Sequence, residues 1–241
     1  MQIDVTVMSE AGPRQASFPV RRMYNLGSAT RESGSAVAHQ EEVAKEGVFV
    51  ALDVPAPRIY PIGHHALITG EEVFVHCPRT SGEVEIVIHV ADQVYVGVGS
   101  DHTDRELEKS SIPWSKQACV NVLAPVLWPL AEMRDRWDSC VLRSWVDGRA
   151  YQDVGVKIFL HPDDVLRILR ERVAELPERD FTVFCGTFVS LSKELGYGKR
   201  WEFELEDPAG NRRIRHGYDV LDLFGEIRPE YRVPLHNAAR G

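Results

Sequence analysis

Apolar and polar residues alternate along the segment SGEVEIVIHV, residues 81–90, and this alternation predicts a β-strand. One face of the strand is wholly apolar, with Val84, Ile86, Ile88 and Val90. The other face carries Glu83, Glu85, Val87 and His89. Because residues two apart in a strand point to the same side, the two carboxylates lie together. On an exposed face they would simply be solvated, whereas in a pocket they need a proton, a basic partner or a metal ion.

Similar runs predict that most of the chain after about Val73 is β-structure. Strand-like segments occur at residues 71–77 and 93–101, and strands resume at residues 181–191 after a long interruption. Residues 199–220 read as a hairpin with its turn at residues 207–210. Mostly antiparallel strands with few helices indicate the α+β class, as a β-rich rolled sheet or barrel.

Two segments have helical patterns. Residues 35–47 form the first, with Ser35 as the N-cap and Gly47 as the stop, and residues 162–176 form the second. The polar segment between them, residues 101–116, is predicted to be a long loop. A proline-rich connection at residues 54–63 favours a division into an N-terminal region, 1–72, and a main domain, 73–241.

Composition narrows the classes of partner and the compartment. The chain has 241 residues, is 44% hydrophobic and carries a net charge of -8, which disfavours nucleic acid or an anionic membrane as the main partner. A small anionic substrate stays open, since it responds to the local field. No apolar run approaches the roughly 20 residues of a membrane span. Four isolated cysteines and no signal peptide lead us to expect a cytoplasmic protein.

A third carboxylate is expected near the first two. A short hairpin at residues 91–93 would place the next strand, which ends at Asp101, beside Glu83 and Glu85. Three carboxylates without histidine or cysteine form a hard oxygen site, which suits Mg²⁺ or Mn²⁺. Arg105 and Lys116 follow in the polar segment, either as solvated surface residues or as cations that face an anionic substrate.

The order of these residues resembles the fumarylacetoacetate hydrolase superfamily. The E-x-E strand with Glu83 and Glu85 is followed by the segment SDHTDREL, which contains Asp101 and Arg105, and then by Lys116. The segment CGTFVSL matches a later glycine-threonine strand of that family, although it lacks the usual proline and second glycine. His102 stands where the family usually has a hydrophobic residue. The local sequence around these residues is most similar to that of an uncharacterised bacterial branch of the superfamily.

An H-x-x-E pair precedes the E-x-E strand, as in the lid helix of that family. His39 and Glu42 are three residues apart and therefore share a helix face, but Glu41 is a rival partner for the histidine. A plain surface helix is the alternative interpretation. The resemblance implies that His39, polarised by Glu42, takes a proton from water.

The resemblance also implies a fold, a ligand set and a reaction. The fold would be a rolled mixed sheet or barrel, and Glu83, Glu85 and Asp101 would hold Mg²⁺ or Mn²⁺. The reaction would be hydrolysis of a C–C bond in a 2-oxo or 2,4-dioxo acid of the acylpyruvate type, in a homodimer.

Individual roles follow from the same resemblance. Lys116 would stabilise developing negative charge, and Gly186 and Thr187 would contact the substrate. Arg105 would bind a substrate carboxylate or brace the acidic ligands. Decarboxylation, isomerisation or dehydration of a 2-oxo acid on the same metal site stays open, as does a non-catalytic protein that binds a small acid.

Overall fold

The computed structural model describes residues 1–31, 33–45, 47–48 and 53–234. Its strands are, in chain order, β1 Gln2–Ser9, β2 Gly12–Pro19, β3 Arg22–Gly27, β4 Arg58–Ile62, β5 Leu67–Ile68, β6 Glu72–Val75, β7 Thr80–Ser81, β8 Val84–Val90, β9 Val94–Asp101, β10 Thr103–Asp104, β11 Asn121–Leu123, β12 Val126–Pro129, β13 Val141–Val146, β14 Arg149–Gly155, β15 Phe181–Phe184, β16 Arg200–Asp207 and β17 Arg212–Asp222. Its α-helices are α1 Ser33–Lys45, α2 Arg105–Glu108, α3 Ile112–Ala118 and α4 Pro162–Arg172.

The strands form a ten-stranded, a five-stranded and a two-stranded sheet. The main path of the largest sheet runs β2-β1-β12-β9-β8-β15-β3-β4, and β11 and β5 join it beside β9. The pairs β1–β12, β3–β15 and β5–β11 are parallel, whereas β8–β9 and β8–β15 are antiparallel. The predicted β-rich α+β class with a mixed sheet is confirmed, but the described strands leave the sheet open at β2 and β4 and do not close a barrel.

Strand β8 lies in the middle of the large sheet and is buried along its whole length. Val84, Ile86 and Ile88 belong to one hydrophobic cluster, together with Trp128 and Leu142. Val87 packs on the opposite side of the sheet, in a second hydrophobic cluster. Because apolar layers cover both faces of the sheet, the carboxylates beside Val87 do not lie on a solvated surface.

The prediction of a long loop at residues 101–116 is wrong. The segment contains β10, α2 and most of α3. Asp104 caps α2 by accepting hydrogen bonds from the backbone N–H groups of Glu106 and Leu107, and Ser111 caps α3 by accepting one from Trp114. Both helices are too short to show a hydrophobic period, so only their caps mark them in the sequence.

Helix α1 confirms that this segment is helical, with a shifted start. It begins at Ser33, so Ser35 lies inside the helix and is not its N-cap. The stop at Gly47 is confirmed, because this glycine has a φ of 86° and its N–H donates to the Ala44 carbonyl. The predicted strand at residues 181–191 is shorter than expected, since β15 ends at Phe184 and Gly186 takes a φ of 85°.

The two regions predicted from the proline-rich connection share one sheet. β1 and β3, from residues 1–72, pair with β12 and β15, from residues 73–241. The division into two domains stays a prediction. Within the described residues, no helix combines the length and apolar character needed to cross a membrane.

Candidate active site

Three buried carboxylates meet at the end of the β8–β9 hairpin. Backbone hydrogen bonds join Glu83 and Asp101 in both directions, at 3.1 and 3.0 Å between N and O. Glu85 lies opposite Gly99 in the same ladder. One ligand oxygen from each of Glu83, Glu85 and Asp101 lies within 4.8 Å of the other two. The hairpin therefore brings the predicted triad together.

The triad fits a hard divalent cation. All of its donor atoms are carboxylate oxygens, which are the ligands that Mg²⁺ and Mn²⁺ prefer. Asp101 Oδ1 is buried and has no partner at hydrogen-bond distance among the described residues. A buried carboxylate oxygen in this state is costly unless a cation or a donor reaches it.

Two buried cations contact the triad. The Lys116 ammonium group, from α3, forms ion pairs with Asp101 and with Glu83 Oε2, the latter at 3.3 Å. Arg105, from α2, lies behind Glu83 and donates from Nη2 to Glu83 Oε1 at 2.8 Å. It also donates from Nη1 to Glu108 at 2.7 Å and from Nε to the Ser81 hydroxyl at 2.6 Å.

Neighbouring charges shift the pKa values of the three acids in different directions. Burial opposes ionisation, but the Lys116 and Arg105 cations hold the pKa of Glu83 well below its usual range. Burial and the Asp101 charge instead raise the pKa of Glu85 well above its usual range. Burial also raises the pKa of Asp101, against the effect of Lys116. The two cations thus favour the charged form of Glu83, whereas burial and the neighbouring acid favour the neutral form of Glu85.

Helix α1 closes over the triad and contributes His39. The Nδ1 atom of His39 lies 3.0 Å from Glu42 Oε2, and its Nε2 atom lies 3.4 Å from Glu83 Oε1. Glu42 Oε1 accepts a hydrogen bond from the Ser190 N–H at 3.1 Å. Glu41 is exposed, so Glu42 is the carboxylate that contacts His39.

The same contacts set the charge of the imidazole. Burial lowers the pKa of His39, but hydrogen bonds to Glu42 and Glu83 outweigh it and raise the pKa to about 9. Burial alone would raise the pKa of Glu42, but hydrogen bonds from His39 and Ser190 outweigh burial and lower it. His39 and Glu42 therefore form an ion pair at neutral pH in this structure.

Gly186 and Thr187 follow β15 and form hydrogen bonds to the strand segment that carries Glu85. The Gly186 N–H donates to Glu85 Oε2 at 2.8 Å. A Cβ atom at Gly186 would lie 2.8 Å from the Leu26 carbonyl oxygen, and its φ of 85° also favours glycine. The Thr187 hydroxyl donates to the Val84 carbonyl oxygen at 3.0 Å and accepts from Gln152 at 2.9 Å.

His102, the polar departure from the family pattern, is buried beside the site with both ring nitrogens engaged. Nδ1 lies 2.9 Å from the Tyr218 hydroxyl and Nε2 lies 2.8 Å from the Thr80 hydroxyl. Burial lowers its pKa to about 3, so the ring is neutral. The two hydroxyl partners explain how a histidine replaces a hydrophobic residue here.

The predicted residues surround one cavity. His39, Glu83, Glu85, Lys116 and Thr187 line it, and the other predicted site residues bond directly to these. The sequence does not predict five further polar residues of the wall: Ser28, Gln40, Arg58, Tyr60 and Glu108. For Arg58 and Tyr60 the sequence signal is their alternation within the proline-rich connection.

Comparison with solved structures identifies the fold. A yeast protein described as ynq8, a fumarylacetoacetate hydrolase family protein, matches with a TM-score of 0.60 at 16% identity, over 84% of this chain and 94% of its own. A 5-carboxymethyl-2-hydroxymuconate delta-isomerase from Mycobacterium smegmatis matches with a TM-score of 0.60 at 16% identity, over 88% and 82%. A 2-keto-3-deoxyarabinonate dehydratase matches with a TM-score of 0.58 at 15% identity, over 87% and 76%.

At identities this low the similarity establishes a shared fold, and the predicted resemblance to the fumarylacetoacetate hydrolase superfamily is confirmed at that level. Among curated proteins, none matches the chain significantly in sequence. A family model described as "Protein of unknown function (DUF2848)" matches residues 27–218, which is most of the chain. The chain, with the fold of fumarylacetoacetate hydrolase family proteins, therefore belongs to this family of unknown function.

Proposed function

We propose that this protein is a metal-dependent hydrolase that cleaves a C–C bond in a 2-oxo or 2,4-dioxo acid of the acylpyruvate type. The observation that carries the proposal is the buried triad of Glu83, Glu85 and Asp101, with Lys116 against it and the His39–Glu42 pair over it. A cluster of this kind in a cavity has little value as a purely structural feature, because burying carboxylates is costly.

Glu83, Glu85 and Asp101 would hold Mg²⁺ or Mn²⁺ through carboxylate oxygens. When bound, a divalent cation would polarise the 2-oxo acid as a Lewis acid and offset the charge of Glu83, which together with Glu42 raises the pKa of His39. Arg105 would keep Glu83 in place from behind, because its guanidinium already bonds to Glu83, Glu108 and Ser81. This geometry favours the bracing role over direct contact with a substrate carboxylate.

Different residues of the chain would move the proton and stabilise the developing charge. His39, held by Glu42, would take a proton from water, and the water oxygen would bond to the carbonyl carbon beyond the scissile bond. The electron pair of the broken C–C bond would go to the pyruvyl fragment, where the Lys116 ammonium would stabilise the negative charge. Thr187 would line the site at the substrate, and the Gly186 N–H would orient Glu85.

The same site could support isomerisation, decarboxylation or dehydration of a 2-oxo acid. Two proteins that share this fold are named as an isomerase and a dehydratase, which supports this second candidate. We also expect a homodimer located in the cytoplasm, without a nucleic-acid or membrane partner.

The first experiment is a calorimetric titration of metal-stripped protein with Mn²⁺, with and without oxalate, which imitates a chelating pyruvate enolate. We expect Mn²⁺ to bind, oxalate to tighten the binding, and Glu85→Gln to weaken it by about 100-fold or more. Glu204→Gln is the matched control, since Glu204 is a buried glutamate that pairs with Arg143 outside the site. If the wild-type protein binds no Mn²⁺, the proposal fails.

Product analysis with the metal-loaded protein then separates the two reactions. An acylpyruvate should give pyruvate and a second acid, and His39→Ala should abolish this hydrolysis. Release of carbon dioxide or water instead would select the second candidate. Hydrolysis that survives His39→Ala unaltered would show that another group is the base.

A further inference from the structure

Four buried polar side chains form a hydrogen-bonded network beside the carboxylate triad. They are Thr80, Ser100, His102 and Tyr218, which we call the His102 network. The imidazole lies 2.9 Å from the Tyr218 hydroxyl at Nδ1 and 2.8 Å from the Thr80 hydroxyl at Nε2. The Tyr218 and Ser100 hydroxyl oxygens are 2.8 Å apart. None of the roles proposed for catalysis uses these four residues.

The His102 network joins all three sheets of the molecule. Ser100 belongs to β9 of the ten-stranded sheet, Tyr218 to β17 of the five-stranded sheet and Thr80 to β7 of the two-stranded sheet. His102 lies between β9 and β10, and its two ring nitrogens contact the other two sheets. A single side chain therefore sets how the three sheets meet at this point.

The network contacts the backbone next to two members of the triad. His102 directly follows Asp101 in the chain, and Gly82 directly precedes Glu83. A Cβ atom at Gly82 would lie 2.5 Å from the Tyr218 hydroxyl oxygen and would also collide with the neighbouring serine hydroxyl. Only glycine therefore lets the network pack against the backbone beside Glu83.

A second route leads from the network to Glu83 through β7. The hydrogen bond between His102 and Thr80 fixes this short strand. The next residue of the strand, Ser81, accepts a hydrogen bond from Arg105 Nε at 2.6 Å. Because Arg105 also donates to Glu83 at 2.8 Å, the position of β7 affects where the guanidinium holds this carboxylate.

An imidazole suits this position because it bonds at two ends without carrying a charge. A neutral ring donates from one nitrogen and accepts at the other, and each hydroxyl partner can do either. A hydrophobic residue at position 102, as in the fumarylacetoacetate hydrolase pattern, would remove the partner of the buried Thr80 hydroxyl. Leaving a buried hydroxyl without a partner is costly, so the histidine and its hydroxyl partners form one unit.

We propose that His102 is a positioning residue for the metal site, whose two hydrogen bonds hold the backbone beside Glu83 and Asp101 so that both carboxylates reach one cation. This inference rests on the proposed function, in which the triad binds Mg²⁺ or Mn²⁺. Mg²⁺ in particular demands near-ideal octahedral geometry, so a small displacement of either ligand lowers affinity. Groups that orient ligands from behind typically contribute 10- to 100-fold to metal affinity.

The test measures Mn²⁺ affinity by calorimetry and stability by urea unfolding in the same variants. His102→Leu should weaken Mn²⁺ binding by about tenfold or more. Tyr218→Phe should weaken it by a smaller factor, because the ring of His102 keeps its bond to Thr80. The double variant should bind little more weakly than His102→Leu, since both changes break one network. His102→Gln, whose amide can donate and accept, should restore part of the affinity.

His89→Leu is the matched control, because His89 is a buried histidine at the other end of β8 that bonds to the Thr182 hydroxyl. It should lower stability and leave Mn²⁺ affinity unchanged. If His102→Leu does not fold, Tyr218→Phe decides the question, since it removes a single hydroxyl group.

Wild-type Mn²⁺ affinity in His102→Leu and Tyr218→Phe would overturn the role of His102 and leave the proposed function standing. Equal weakening in His89→Leu would do the same, because it would trace the loss to stability alone. Failure of the wild-type protein to bind Mn²⁺ would overturn both proposals.

Discussion

The two ends of strand β8 bury polar side chains on the same face of the sheet, but in opposite electrostatic states. At one end, Glu83 keeps its charge because the Lys116 and Arg105 cations reach it in the interior. At the other end, the His89 ring packs 5.2 Å from the Phe18 ring and bonds through Nδ1 to Thr182. Burial lowers the pKa of His89 to about 4, so this ring is neutral.

The contrast shows that burial alone does not decide whether a polar residue is charged. The carboxylate end is charged because two short helices, α2 and α3, bring cations to it. The histidine end lies among apolar and aromatic side chains, and its Nε2 atom has no hydrogen-bond partner within the described part of the chain. We therefore assign chemistry to the first end and packing to the second.

The largest expected effect comes from breaking the charge balance of the carboxylate end. Arg105→Met should lower the free energy of unfolding of the metal-free protein by about 3–5 kcal/mol, because it leaves Glu83 and Glu108 buried without their partner. Urea unfolding measures this change. Arg167→Met is the control and should cost far less, since Arg167 forms exposed ion pairs with Asp164 and Glu171. Equal effects in the two variants would contradict the contrast.

The histidine end should respond to pH. The pKa of His89 is about 4 in the folded protein against 6.5 for an ordinary histidine, so the unfolded chain binds more protons between these values. The free energy of unfolding should therefore fall as the pH drops from about 6.5 to about 4, by about 3 kcal/mol. Asp180 and Asp92 act weakly in the opposite direction.

Urea unfolding across this pH range, compared between the wild-type protein and His89→Gln, isolates the contribution of His89. Glutamine does not titrate, so the stability of this variant should depend less on pH over the same interval. Parallel curves for the two proteins would show that His89 is not the group responsible.

The smallest expected effect concerns the pairing of His39. Glu42→Gln should lower the rate of hydrolysis by roughly 100-fold, because the ring loses the charged partner at Nδ1. Glu41→Gln is the matched control and should change the rate by less than about twofold, since Glu41 is exposed. Steady-state kinetics on the substrate found by screening measures both, and a larger effect for Glu41→Gln would reverse the assignment.

Several features of the site were determined by the sequence itself. The period of two in the β8 segment places Glu83 and Glu85 on one side, and the short turn after it sets the register that brings Asp101 beside them. The spacing of three places Glu42 beside His39 on the helix. These relations involve neighbours in the chain, so local geometry is sufficient to predict them.

Tertiary structure alone decided what covers those residues. The sequence left the Glu83 face either solvated or buried, and helices α1, α2 and α3 cover Glu83 with His39, Arg105 and Lys116. The entry of Arg58 into the cavity depends on the pairing of β4 with β3, across about 30 residues. A local pattern specifies which side chains share a face, but the partner of that face comes from long-range pairing that the pattern does not encode.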